Sequence, residues 1–252
     1  MNLMSIRNQL RELSFNGMLG SIETDLELAM KNDWSFEELI SKLLQTEKEF
    51  RDDILIIRKL KAAKFKKRAC LEDFDWGVKR GITKQQVIEL MTLKWIEQAR
   101  PLLLIGQTGV GKSYLAEAIG RHACNKKRSV LFKESTELFL QLHESRRLNR
   151  YLSMRERLAR VDILIIDDFG MRKLNSTEAQ DLKELLEIRS LTKSTIFTTQ
   201  LPLSHWKEVI EDEVIIEPII DLLEHSSIKF EMKGESYRKI KAKKLDQQEL
   251  NH

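Results

Sequence analysis

Four apolar residues, Leu102-Leu-Leu-Ile105, lead without a break into Gly106-Gln-Thr-Gly-Val-Gly-Lys-Ser113, and an amphipathic stretch follows. A buried strand that must turn through a glycine-rich loop into a helix leaves few folds open. Gly109 and Gly111 allow the tight turn, so that consecutive N–H groups can surround phosphate oxygens. The start of the helix adds its partial positive charge. In such a loop Lys112 reaches the β- and γ-phosphates and the Ser113 hydroxyl is a ligand for Mg²⁺. The pattern alone recurs by chance; in a strand–loop–helix context it predicts a nucleotide cradle. The residues expected to contact ATP are Gly106, Gln107, Thr108, Gly109, Val110, Gly111, Lys112, Ser113 and the adjoining Tyr114.

A second stretch agrees independently. Asp162-Ile-Leu-Ile-Ile-Asp167-Asp168 is an apolar strand closed by two carboxylates. Asp167 is placed to hold Mg²⁺, and Asp168 to orient or deprotonate the water that attacks the γ-phosphate. Ser194-Thr-Ile-Phe-Thr-Thr-Gln200 is a further strand with a polar end. Beside the Asp167 strand, Thr199 would stand near the γ-phosphate and report its presence, with Thr198 as the alternative. The expected catalytic group is therefore Lys112, Asp168 and Thr199, with Ser113 and Asp167 for the metal.

Around these motifs the chain alternates short apolar runs (102–105, 130–132, 163–166, 195–199) with helical stretches (112–124, 136–159, 176–190). Another helix at 213–225 precedes a last strand at 227–231. Strands buried on both faces and separated by helices predict an α/β fold with a parallel sheet flanked by helices. The preceding part differs. Residues 1–69 contain no proline, and apolar residues recur at helical spacing, as in Leu39, Ile40, Leu43, Leu44. Ser35 and Glu38 form a capping-box pair before the longest helix. The expected organisation is a small all-helical domain over 1–69, a linker over 70–82 and an ATPase domain over 83–252. That last domain would open with a helix at 83–98 capped by Thr83 and end in a basic tail.

The 252 residues carry a formal charge of only +4, which hides a local asymmetry. Basic residues crowd Arg58–Arg68, and again Arg238, Lys239, Lys241, Lys243 and Lys244 near the C-terminal end. Dense positive charge attracts a polyanion, so Lys64, Lys66, Lys67 and Arg68, together with Arg146 and Arg147, are expected to contact DNA. A solvated helix face is the plainer alternative for the first group. Cys70 and Cys124 stand in no metal-ligand or disulfide pattern, which favours a reducing, cytoplasmic setting. No secretory leader is expected at 1–25. No apolar run reaches the roughly 18 residues of a membrane span.

With these motifs in order, the chain resembles the IstB-like helper ATPases of bacterial insertion sequences, relatives of the DnaC helicase loader within the AAA+ superfamily. The resemblance rests on Leu71-Glu-Asp-Phe-Asp75, Gln86-Val-Ile-Glu-Leu90, Trp95-Ile-Glu97, the Gly106–Ser113 loop and Ile166-Asp-Asp-Phe-Gly170. It also rests on Ser194-Thr-Ile, Thr198-Thr-Gln-Leu-Pro202, Ser204-His-Trp206 and Gly234-Glu-Ser-Tyr-Arg-Lys239. The loop is common to many families; the Gln-Leu-Pro-x-Ser-His-Trp and Gly-Glu-Ser-x-Arg-Lys stretches are far more specific. The resemblance implies a P-loop AAA+ core and an ATP-dependent protein that assembles as a homo-oligomer on double-stranded DNA and assists a cognate transposase. It also implies Thr199 as the first sensor, Arg238 as a nucleotide contact, and DNA contacts from the helical N-terminal region and from 134–160.

One departure stands out. The family pattern carries Asp-Arg-Leu before the last strand, its arginine reaching a neighbouring subunit's γ-phosphate, whereas this chain has Asp221-Leu222-Leu223. Such an arginine contributes several orders of magnitude to hydrolysis. Another arginine such as Arg189 takes its place, or hydrolysis is slow and binding is the working state, or this copy is degraded. A helicase loader is the alternative function. A small-molecule P-loop kinase is the third, without a lid-like arginine cluster or a second substrate motif to support it.

Overall fold

The computed structural model describes residues 3–237, 239 and 240. Arg238, Lys241, Lys243 and Lys244 of the expected nucleotide contact and basic tail lie outside the described residues. The chain forms two compact units, Met1–Arg58 and Lys59–His252.

The first unit is helical. It holds α1 (Leu3–Glu12), α2 (Asn16–Lys31) and most of α3 (Phe36–Ala63). The capping box at the start of α3 forms as expected. Ser35 Oγ accepts from the Glu38 amide at 3.2 Å, and the Glu38 carboxylate accepts from the Ser35 amide at 2.7 Å. The N-terminus of α2 has no cap of its own. Buried Glu47 of α3 supplies one, accepting from Gly17 N at 2.7 Å and Met18 N at 3.1 Å, where a negative charge also meets the positive helix end. The boundary between the units falls inside α3, so residues 59–69, expected with the helical domain, pack within the second unit.

The second unit opens with α4 (Lys84–Met91) and α5 (Lys94–Glu97). Thr83 caps α4 in a full capping box with Gln86. The single helix expected at 83–98 is broken at Leu93, whose φ of 60° turns the chain. The break puts Trp95 and Ile96 into the core, and Trp95 Nε1 donates to Leu90 O at 2.9 Å. Strands β1 (Leu102–Gly106), β2 (Val130–Glu134), β3 (Ile163–Phe169), β4 (Ser194–Thr199) and β5 (Ile228–Met232) follow. They build one parallel sheet in the order β2-β3-β4-β1-β5.

Between the strands run α6 (Lys112–Asn125), α7 (Ser135–Arg147), α8 (Tyr151–Arg160), α9 (Ser176–Ser190) and α10 (Glu213–Ser226). The stretch expected as one helix over 136–159 is two, divided at Asn149 with φ 55°. Asparagine is among the residues that tolerate this left-handed backbone. Each face of the sheet is buried in its own apolar cluster. One gathers Leu103, Leu164, Phe169, Phe197 and Trp206 under α7, α9 and α10; the other gathers Leu102, Leu104, Ile165 and Ile196 under α4 and α6. Among the described residues, no helix is long and apolar enough to cross a membrane.

Candidate nucleotide site

Parallel strands direct all their C-terminal ends to one edge, and ligands of open α/β sheets bind there. Here that edge carries the 106–113 loop after β1, the Asp167–Asp168 pair in β3, and Gln200 directly after β4. A cleft lined by Thr108, Gly109, Lys112, Ser113, Asp168 and Gln200 brings them together.

The loop's geometry depends on its glycines. A Cβ on Gly106 would stand 2.1 Å from the Met232 carbonyl oxygen, so only glycine lets β1 run this close to the end of β5. Gly111 opens α6 at φ 107°, a backbone that side chains disfavour. Lys112 is 4% exposed, and its ammonium donates to Gly106 O at 2.8 Å and Gln107 O at 3.0 Å. Burial lowers its pKa, opposed by the Asp168 and Asp167 carboxylates. The buried cation thus lies within electrostatic reach of both carboxylates, of which Asp168 lines the cleft.

The carboxylates are positioned by β4. Asp167 is buried, and Thr198 Oγ1 donates to its Oδ1 at 2.6 Å. The same hydroxyl accepts from the Asp168 amide at 2.9 Å. The β3–β4 register shifts between Ile166 and Phe169, and Asp168 takes φ 53°. Such irregularities re-aim a side chain, and Asp168 lines the cleft. Burial, then the neighbouring Asp167, pushes its pKa up, while Lys112 opposes the shift. Thr199, the first choice as sensor, has its hydroxyl turned away, accepting from the Leu201 amide at 3.1 Å. Thr198, the alternative, is the threonine that meets the acidic pair.

Several lining residues escaped the sequence reading. Arg80 is 4% exposed, its guanidinium 4.4 Å from the Phe74 ring centroid and 4.8 Å from that of Tyr237. Its Nη1 donates to Asp75 O at 2.6 Å, and its buried Nε has no partner. Tyr237 is held over the loop by its amide, which donates to Gly109 O at 2.9 Å. Tyr114, expected at the nucleotide, also lines the cleft and hydrogen-bonds Cys70 on both sides, donating to its carbonyl at 2.8 Å and accepting from its amide at 3.1 Å. One end of the cleft is therefore aromatic and cationic, the other acidic with a buried lysine. Gln200 offered one signal, since it ends a strand beside the acidic one. Arg80 offered none, because its burial depends on residues from 74 to 237.

A profile of the IstB-like ATP binding protein family matches residues 8–245. The chain belongs to this family. It is 34% identical over 237 residues to a Sinorhizobium fredii protein, y4pL, named as an insertion-sequence ATP-binding protein; the match covers 94% of this chain and 97% of that one. With the corresponding protein of insertion sequence IS21 from Pseudomonas aeruginosa it shares 33% identity over 217 residues, covering 86% and 82%. Among solved structures, DnaI superposes with a TM-score of 0.56 at 22% identity, covering 66% of this chain and 92% of that one. The DnaC helicase loader gives 0.55 at 15% identity, covering 66% and 97%. At these identities the two structures support the fold alone, a parallel sheet flanked by helices.

The remaining expected positions divide clearly in this IstB-like chain. Arg189, expected as one substitute for the finger, is internal to the fold. It is 1% exposed and donates to Leu158 O at 2.6 Å, Val161 O at 3.0 Å and Thr195 Oγ1 at 3.0 Å, with a further bond to Ser194 O. It is an internal brace. Leu222 packs on the apolar cluster beneath α10. Of the basic residues, Lys64, Lys66, Lys67, Arg68 and Arg147 are all exposed. Arg146 is engaged: it pairs with Asp181, donating at 2.7 Å, and lies 3.9 Å over the Tyr151 ring. Lys66 pairs with Glu134, and Lys67 lines the nucleotide cleft.

Proposed function

We propose that this chain binds ATP with Mg²⁺ in the 106–113 cradle and uses the nucleotide to control its assembly as a homo-oligomer on double-stranded DNA, where it assists a cognate transposase. One observation carries the nucleotide half: Lys112, Asp167, Asp168 and Gln200 converge at the sheet edge where the phosphate loop opens α6. Relatives named as insertion-sequence ATP-binding proteins support the setting.

The donor set fits Mg²⁺. Among the described residues no cluster of three or more His, Cys, Asp or Glu could hold a metal alone. Ser113 and Asp167 instead offer the sparse oxygen donors with which Mg²⁺ is held beside nucleotide phosphates. When bound, the ion neutralises charge on the β- and γ-phosphates. The protein's own contributions follow from its geometry. Lys112 leaves its loop carbonyls for the phosphates. Thr198 fixes the Asp167 carboxylate. Asp168, aimed into the cleft with a raised pKa, orients the attacking water and accepts its proton. Gln200, beside it in the cleft, is placed to touch the terminal phosphate. With Leu222 at the finger position, turnover is slow and nucleotide binding is the working state.

For the DNA half, exposed Lys64, Arg68 and Arg147 are the proposed contacts, with Arg146 in reserve behind Asp181. The first unit leaves Met30, Phe36, Leu44 and Ile57 exposed. Replacing Lys112 with alanine removes the buried cation of the cradle. ATP affinity, measured by titration of a fluorescent analogue, should fall by at least about a hundredfold, two charge-assisted hydrogen bonds being lost. Retained affinity would overturn the cradle assignment.

A further inference from the structure

Residues 64–83 contain neither helix nor strand, yet their first part is fastened along one face of α6. The Phe65 ring lies against Gly120, where an added Cβ would come within 2.9 Å of it. The Lys67 amide donates to Glu117 Oε2 at 2.8 Å. Cys70 is bonded through its amide and carbonyl to the Tyr114 hydroxyl. Gly120, Glu117 and Tyr114 are spaced by three residues, so they share a face. The segment therefore descends the helix towards its N-terminus, the end that carries Lys112 and Ser113.

This path delivers two lysines to the acidic end of the cleft. Lys66 pairs with Glu134, which lies opposite Asp167 in the β2–β3 register. Lys67 sits level with Glu117, one turn from Ser113, and lines the cleft with Lys112, Ser113 and Asp168. Its ammonium makes no ion pair among the described residues. Asp167, Asp168, Glu117 and Glu134 concentrate negative charge where a terminal phosphate would stand, and Lys112 is the loop's only cation there. Phe74 and Arg80 of the aromatic end of the cleft lie further along the same segment, with Tyr237 beside Arg80.

We propose that Lys67 is a ligand of the nucleotide's terminal phosphate, supplied in cis by the segment that follows α3, with Lys66 neutralising Glu134 beside it. Lys67 thus reads nucleoside triphosphate against diphosphate and is not a DNA contact. The inference rests on the ATP reading of the cradle.

The test uses the full chain with Lys67→Met, which keeps the apolar stem and the Glu117–amide bond, and Lys67→Arg. Labelled ATP and ADP are titrated, and duplex DNA binding is measured without nucleotide over a range of salt. Lys67→Met should weaken ATP about tenfold, the effect of one charge-assisted contact, and move ADP by less than about twofold. Lys67→Arg should recover most of the ATP affinity. The slope of log K against log salt should stay as in the wild type. Unchanged ATP affinity, or an equal loss for ATP and ADP, would overturn the proposal. So would a DNA salt slope reduced by about one in Lys67→Met, since that marks a phosphate contact on DNA. Failure of the cradle itself is read separately, from Lys112→Ala.

Discussion

Adjacent threonines at the end of β4 do different work because side chains alternate along a strand. Thr198 links the Asp167 carboxylate to the Asp168 backbone, donating to Asp167 Oδ1 and accepting from the Asp168 amide. Thr199 accepts from the Leu201 amide. Thr198→Val leaves a buried carboxylate without its donor, a loss of about 1–3 kcal/mol. ATP turnover at limiting Mg²⁺ should fall by roughly tenfold or more, whereas Thr199→Val should leave the Mg²⁺ requirement as it is. A Mg²⁺ titration in which only Thr199→Val is affected would reverse the assignment. The alternation was legible in the sequence; which threonine faces the acidic pair was not. It depends on the register shift between Ile166 and Phe169, a cross-strand property with no local signature. Arg189 makes the same point. In sequence it stands as a possible substitute finger; in the structure the carbonyls of Leu158, Val161 and Ser194 take up its guanidinium and make burial tolerable.

At the scale of elements, the sheet edge opposite the site is tied together by Asp162. Its carboxylate accepts from Ser129 N at 2.8 Å and Ser129 Oγ at 2.7 Å before β2, and from Lys193 Nζ at 2.7 Å before β4. Burial alone would raise its pKa; the Lys193 and Ser129 hydrogen bonds outweigh that and lower it from 3.8 to about 2. The folded state therefore binds this proton less readily than the unfolded chain. The resulting stability, about 2 kcal/mol, is fully present above pH ~4 and is lost as pH falls through about 2. Asp162→Asn should lower the unfolding free energy by about that amount at neutral pH. The gap from wild type should close between pH ~4 and ~2 in denaturant titrations. A gap of constant size across that range would contradict the account. Most elements were legible because the two motif strands and the helical periodicity punctuate the chain. The breaks at Leu93 and Asn149 were not, since apolar residues continue at helical spacing through both.

For the molecule as a whole, the fold class followed from one loop and one acidic strand end, which set the sheet edge where chemistry gathers; the strand order β2-β3-β4-β1-β5 did not. The border of the helical unit was not legible. It falls between Arg58 and Lys59 inside an unbroken α3, with no proline or glycine to mark it. The basic run 58–68 therefore looked like one DNA-binding face, while the structure puts Arg58, Lys59 and Lys61 on α3, pairs Lys66 with Glu134 and brings Lys67 to the cleft, with Lys64 and Arg68 exposed. In the proposed function, two neighbouring lysines serve the nucleotide while others meet the duplex, and a bound triphosphate governs assembly on DNA. Sedimentation velocity of a labelled duplex with the full chain, with and without ATP and Mg²⁺, tests that claim most directly. The account predicts a fast-sedimenting, multi-subunit complex with wild type that requires ATP and is lost in Lys112→Ala. Equal sedimentation of the duplex with and without ATP would contradict it.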